Sequence, residues 1–270
     1  RFLILQVLLG NIQIDNLSSG DDTQVLQKAL TTSENIIDIG HAGTAMRFLT
    51  AYFATQESRE VVLTGSERMQ QRPIGILVDA LRQLGAEIAY VKNEGYPPLR
   101  ISGKKLSGGS VKVQADISSQ YLSALLLIAP ILEKGLTVAF ESKITSRPYL
   151  EMTIALLNTC GVSVVEEENA VTVKPFQKKN LPTHFTVESD WSSASYFYSF
   201  IALSPVGTAL KLRYFQEESL QGDKRLTEIY SQFGVKTSFE EDHIRLTKQH
   251  ENHPESVAFD LTDNPDLAQT

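Results

Sequence analysis

The sequence predicts an α/β protein built from a repeated βαβαββ unit around buried helices, and three observations carry this. First, one helix type ends in glycine and runs into an alternating strand. It occurs at Ile74 to Gly85 before Ala86–Tyr90, at Tyr149 to Gly161 before Val162–Val165, and at Leu226 to Gly234 before Val235–Phe239. These glycines recur about every 75 residues. Glycine marks a helix end because it enters the left-handed region without a Cβ clash. Second, another helix type opens on small and hydroxylated residues and is apolar nearly all round, as buried helices are. Its members start at Gly43-Thr44, Ser118-Ser119 and Ser192-Ser193, in phase with the first type. Third, the chain has 270 residues, 42% hydrophobic and 21% charged, enough for two domains with real cores. Two helix types recurring in phase argue against a generic domain with chance spacing, and the period is too long for a typical solenoid.

Taken in order, helices are expected near residues 2–10 and 21–30, in a first unit that is shortened and lacks a strand pair. The helix from Gly43 follows, then the glycine-ended helix from Ile74. Strands at Leu99–Ser102 and Ser110–Gln114 precede the helix from Ser118. The phase places another buried helix near residue 267. The chain stops at that helix's start, so the sequence is expected to be truncated there.

A formal net charge of −7 speaks against a nucleic-acid binder driven by bulk charge. It leaves room for small anions, since a few arginines in a cleft set the local field. Cys160 is the one cysteine, which excludes an internal disulfide and a cysteine-built zinc site. The five histidines, at 41, 184, 243, 250 and 253, lack metal-ligand spacing. The longest apolar stretch, Leu122 to Leu132, is too short to span a bilayer. Arg1 to Leu9 has the basic-then-apolar look of a signal peptide, but no small-residue cleavage site follows. A reduced, cytoplasmic setting is expected, and Arg1 is not expected to be the natural N-terminus.

The candidate chemistry sits at helix starts. Gly40-His41-Ala42-Gly43-Thr44 would let backbone N–H groups approach an anion, or would simply be a glycine-rich turn capped by Thr44. Arg72 before Pro73, with Pro73 in the first helical turn, would offer a guanidinium fork to a carboxylate or phosphate. Arg68 lies four residues earlier, and solvated loop arginines are the bland alternative. Asp116-Ile117-Ser118-Ser119-Gln120 puts two hydroxyls and an amide at a helix mouth, where one serine would suffice as a cap. Ser146-Arg147-Pro148-Tyr149 repeats that logic, with Tyr149 able to cover a ring. Asp266 after Pro265 is either a favourable first-turn acid or a carboxylate that takes a proton from a substrate hydroxyl.

Seven segments, HAGTAMRFLTAYFA, GSERMQQRPIGILVDALRQLGAEI, DISSQYLSALLLIAP, SRPYLEMTIALL, ESDWSSASYF, LQGDKRL and DLTDNPDLAQT, occur in the order seen in 5-enolpyruvylshikimate-3-phosphate synthases. Over its whole length the chain resembles this enolpyruvyl transferase family, and Arg1 matches the arginine of the family's Lys-Ser…Ser-Asn-Arg motif. The resemblance implies the two-domain enolpyruvyl transferase fold. Residues 1–186 would be a first lobe of three repeat units, the first shortened. Residues 187–270 would begin a second, incomplete lobe, with a hinge strand near Phe185–Ser189. It implies transfer of the enolpyruvyl group of phosphoenolpyruvate to the 5-hydroxyl of shikimate 3-phosphate, by addition–elimination through a tetrahedral intermediate that loses phosphate. No metal or organic cofactor is needed for that, and the expected partners are those two small molecules, with no nucleic acid, no membrane and a monomeric state.

Carried over residue by residue, Arg1, Ser118, Ser119, Gln120, Ser146 and Asp266 would contact shikimate 3-phosphate, with Tyr149 beside its ring. Gly43, Arg72 and Gln120 would contact phosphoenolpyruvate, Arg47 would support that pocket, and Asp266 would be the catalytic base. The family usually has Asn at His41 and Pro at Phe48. Its lysine before Arg1, its later Lys-Glu-x-x-Arg segment, a further arginine and a C-terminal lysine are absent, so these 270 residues alone are expected to be inactive or nearly so. Alternatives are the sister enzyme acting on UDP-N-acetylglucosamine, which carries a reactive loop cysteine, a non-catalytic anion-binding repeat module, and one domain of a multifunctional polypeptide. Cys160 before Gly161 looks like packing rather than a nucleophile.

Overall fold

The structure, a computed structural model, describes residues 1–10, 12–113, 118–140, 146–177, 184–252 and 254–270. Its helices are α1 (Phe2–Leu9), α2 (Asp21–Thr31), α3 (Gly43–Ala54), α4 (Gly75–Gln83), α5 (Ser119–Ile128), α6 (Arg147–Thr159), α7 (Trp191–Ala202) and α8 (Leu226–Ser231). Its strands are β1 (Gln13–Asp15), β2 (Ile36–Asp38), β3 (Glu60–Thr64), β4 (Glu87–Tyr90), β5 (Leu99–Ser102), β6 (Gly109–Val113), β7 (Leu136–Phe140), β8 (Val164–Glu167), β9 (Ala170–Val173), β10 (His184–Thr186), β11 (Ala209–Arg213), β12 (Val235–Phe239) and β13 (His243–Lys248). The expected Gln114, Asp116 and Ile117 lie outside the described residues. Two compact units result: Arg1–Thr145 with Thr153–Phe185, and Ser146–Met152 with Thr186–Thr270.

The first unit holds two four-stranded mixed sheets with the same connectivity, ordered β2-β3-β5-β4 and β6-β7-β9-β8. In each, the first pair is parallel and the other two are antiparallel. A parallel pair needs a crossover, and the buried helices supply it: α3 joins β2 to β3, and α5 joins β6 to β7. Both are buried almost all round, α3 at Gly43 and Ala45–Ala54, α5 at Ser119 and Tyr121–Ile128. The glycines after α4 and α6 take φ of 92° at Gly85 and 74° at Gly161, the left-handed exit that the sequence signals. β1 pairs with β10 in a two-stranded sheet. α1 buries Leu3, Ile4 and Leu5.

The second unit packs α7 and α8 on the sheet β11-β13-β12, antiparallel throughout. Trp191, Tyr198, Ile201, Leu226, Ile244 and Leu246 form its core. Asp190 caps α7, accepting from the N–H groups of Ser192 at 3.1 Å and Ser193 at 3.2 Å. Lys248 is fully buried, and its ammonium donates to the carbonyls of Ala202 at 2.7 Å and Phe233 at 2.8 Å. It thereby satisfies the carbonyl of the last residue of α7 and one just past the end of α8. Lys248→Met would keep the volume but orphan both carbonyls. We expect a loss of about 3 kcal/mol, read as a lowered denaturant midpoint for the second unit. The helix expected near residue 267 is only a single 3-10 turn, Pro265–Leu267, with Leu267 in the core.

Candidate active site

In the first unit, the N-terminus of α3 gathers Gly43, Arg47 and Arg72. Its N-cap is Ala42, which has no side chain able to cap, so the first N–H groups of a twelve-residue helix are left for an external acceptor. A methyl at Gly43 would overlap Arg72 Nη1 and lie 3.0 Å from its Cζ. Only glycine leaves room for that exposed guanidinium over the helix mouth. Arg47, one turn in, is 4% exposed. It donates to Gly43 O at 3.0 Å and Pro73 O at 3.4 Å, and sits 5.8 Å from the Tyr121 ring centroid. Burial lowers its guanidinium below the ordinary value, Tyr121 opposes that, and the Arg72 charge adds to the lowering.

Pro73 does not open α4 as expected. Ile74 is the N-cap, and the Pro73 carbonyl instead accepts from Tyr121 OH at 2.5 Å. That bond and the Arg47 contact fix the Arg72-Pro73 link against both buried helices. Ser118 caps α5, its hydroxyl accepting from Gln120 N–H at 3.3 Å. Ser119 is buried and Gln120 half-buried. Arg1 Nε donates to Thr153 Oγ1 at 2.7 Å, Thr153 bonds Ser123 at 2.8 Å, and the Arg1 guanidinium lies 5.8 Å from the Phe48 ring centroid. Phe48 therefore supports Arg1 from α3. His41 is exposed, with Nδ1 2.9 Å from Ser66 Oγ.

In the second unit, Ser146, Tyr149 and Asp266 are positioned by the start of α6 and the last turn. α6 starts at Arg147, so Pro148 does fall in its first turn. Ser146 has φ 59°, a left-handed conformation that costs a non-glycine residue free energy and clusters at binding sites. The Tyr149 hydroxyl lies 3.1 and 3.0 Å from the two Asp223 oxygens and 3.1 Å from Asp266 Oδ2. Burial first, then the carboxylates of Asp223 and Asp266, push its phenol far above the ordinary value, so it stays a proton-bearing group. Asp223 went unnoticed in the sequence as a site residue. It is buried and also accepts from Ser192 Oγ and Asn264 Nδ2. The local signal was only an acid in the segment LQGDKRL. Cys160 is 3% exposed, and burial raises its thiol to about 11, which makes it a packing residue rather than a nucleophile. Among the described residues, no group of three or more His, Cys, Asp or Glu is placed to hold a metal, and no helix is long and apolar enough to cross a membrane.

The family model for EPSP synthase (3-phosphoshikimate 1-carboxyvinyltransferase) matches residues 4–270. The chain belongs to the EPSP synthase family. It is 48% identical over 272 residues to the 3-phosphoshikimate 1-carboxyvinyltransferase of Bacteroides fragilis strain YCH46, covering 100% of this chain and 65% of that relative. It is 36% identical over 296 residues to the protein of the same name from Pseudoalteromonas atlantica, covering 99% of this chain and 67% of the relative. The solved EPSP synthase from Acinetobacter baumannii aligns with a TM-score of 0.74 at 20% identity, over 98% of this chain and 67% of that one. This family member thus spans about two thirds of the length of those relatives, and it shares the mixed α/β fold of the solved EPSP synthase.

Proposed function

We propose that the whole protein transfers the enolpyruvyl group of phosphoenolpyruvate to the 5-hydroxyl of shikimate 3-phosphate, releasing phosphate, in the shikimate pathway of aromatic amino acid biosynthesis. One observation carries this beyond family membership. The uncapped N-terminus of α3 lies beneath the Arg72 guanidinium, with Arg47 buried against its first turn. That is a preorganised receptor for a small, doubly anionic ligand.

Gly43, Arg47, Arg72 and Gln120 serve phosphoenolpyruvate. Arg1, Ser118, Ser119, Gln120, Ser146, Tyr149 and Asp266 serve shikimate 3-phosphate. The Asp266 carboxylate takes the 5-hydroxyl proton as that oxygen attacks C2 of phosphoenolpyruvate, and the C2=C3 double bond opens by taking up a proton at C3, so that a tetrahedral adduct forms. The tetrahedral adduct then loses a proton from C3 and expels phosphate, which forms the enol ether of the product. The protein contributes charge neutralisation and alignment of two anions. The same proposal has the protein acting as a monomer in the cytoplasm, with residues 1–186 forming one lobe and 187–270 opening the other.

The test is phosphate release by the whole protein given both substrates, alongside shikimate 3-phosphate lacking its 5-hydroxyl. Release with the first and none with the second is expected. No release with the authentic pair would overturn the assignment.

A further inference from the structure

We propose that Asp223 is a positioning residue for this transfer: it holds the Tyr149 phenol and the turn carrying Asp266 in place for proton abstraction. The inference rests on the function proposed above, with Asp266 as the base. Asp223 is 3% exposed, and a carboxylate is buried only when its oxygens are satisfied. Oδ1 accepts from Asn264 Nδ2 at 3.2 Å and lies 3.1 Å from the Tyr149 oxygen. Oδ2 accepts from Ser192 Oγ at 2.5 Å and lies 3.0 Å from the same phenol. The three donors come from the mouth of α7, the first turn of α6 and the turn before Asp266. Asn264 is itself buried and is separated from Asp266 only by Pro265, whose ring fixes φ. Holding the Asn264 amide therefore holds the turn. Gly222 lets the segment come this close, since a Cβ there would meet Pro148 Cβ at 2.6 Å.

The proton count sharpens the role. A phenol has one proton, and Tyr149 faces carboxylates from two residues. Asp223 presents both oxygens to it, Asp266 only one. With the proton shared mainly with Asp223, Tyr149 spends less of its one donor on Asp266, and that carboxylate keeps more of its capacity for a substrate hydroxyl. Without Asp223 the phenol proton turns to Asp266 and competes with the substrate, while the Asn264 turn loses its anchor.

The experiment compares the whole wild-type protein with Asp223→Asn, Tyr149→Phe and the double variant. Asp223→Asn should lower kcat about 100-fold. KM for phosphoenolpyruvate should stay within about threefold, because Gly43, Arg47 and Arg72 belong to the other unit. The double variant should lose little more than Asp223→Asn alone, since Asp223 acts partly through Tyr149. The proposal is overturned by a kcat within about fivefold of wild type, by losses that multiply in the double variant, or by a kcat that falls only with the count of active sites. If Asp223→Asn does not fold, Asn264→Ala removes the hold on the turn alone. It should cost about tenfold in kcat, and an unchanged kcat overturns the proposal. A wild-type protein that releases no phosphate fails before any variant is made, and overturns the proposed function together with this role.

Discussion

Asp266→Asn is expected to lower kcat for enolpyruvyl transfer about a thousandfold while leaving the fold intact. The amide fills the space of the carboxylate but cannot accept the proton of the attacking hydroxyl. Asp266 is exposed, and its contact with the Tyr149 hydroxyl spans 3.1 Å, so no buried group is orphaned by the change. The melting transition should therefore shift by less than about 1 kcal/mol equivalent. Affinity for shikimate 3-phosphate should weaken by about tenfold, the worth of one charge-assisted hydrogen bond. Steady-state kinetics combined with calorimetry separate the two effects. A variant retaining kcat within tenfold of wild type would remove Asp266 from the role of base and leave it a ligand group only.

Features set by local chemistry were legible in the sequence, and those set by distant contacts were not. Gly85, Gly161 and Gly234, with φ of 92°, 74° and 75°, announce helix ends because their freedom is a property of the residue. The all-round apolar character of α3 and α5 announces burial for the same reason. Pro73 misled, since its helix-start tendency lost to tertiary demand: its carbonyl is taken by Tyr121 and Arg47, residues 48 and 26 positions away. Asp223 was missed on similar grounds. Its meaning lies in Tyr149, 74 residues earlier, and Asn264, 41 residues later, and no window of sequence joins them. Gly43 and Arg72 were each legible through family resemblance, but not that one exists to clear space for the other. The strained Ser146 backbone likewise has no local signature, for serine rarely selects that region unaided.

The Gly43–Arg72 pair makes Gly43→Ala the second large effect, with opposite signs for stability and binding. Gly43 is the first residue of α3, and its φ lies outside the left-handed region that demands glycine. Alanine is thus allowed by the backbone, and in a helix it gains up to about 1 kcal/mol over glycine. Its methyl, however, would overlap Arg72 Nη1 and come within 3.0 Å of Cζ. The guanidinium is the movable party, since Arg72 is exposed while α3 is locked in the core. Displaced, it would lose the fork-like bond proposed between Arg72 and phosphoenolpyruvate, worth about 1.5–3 kcal/mol. KM for phosphoenolpyruvate should therefore rise about 10- to 100-fold, with unfolding stability unchanged or higher. Arg72→Ala should raise KM in the same direction without the stability gain, and the double variant should lose little beyond it, because the methyl then has nothing left to displace. Losses that multiply would mean that Gly43 acts through its own N–H rather than by making room for the arginine.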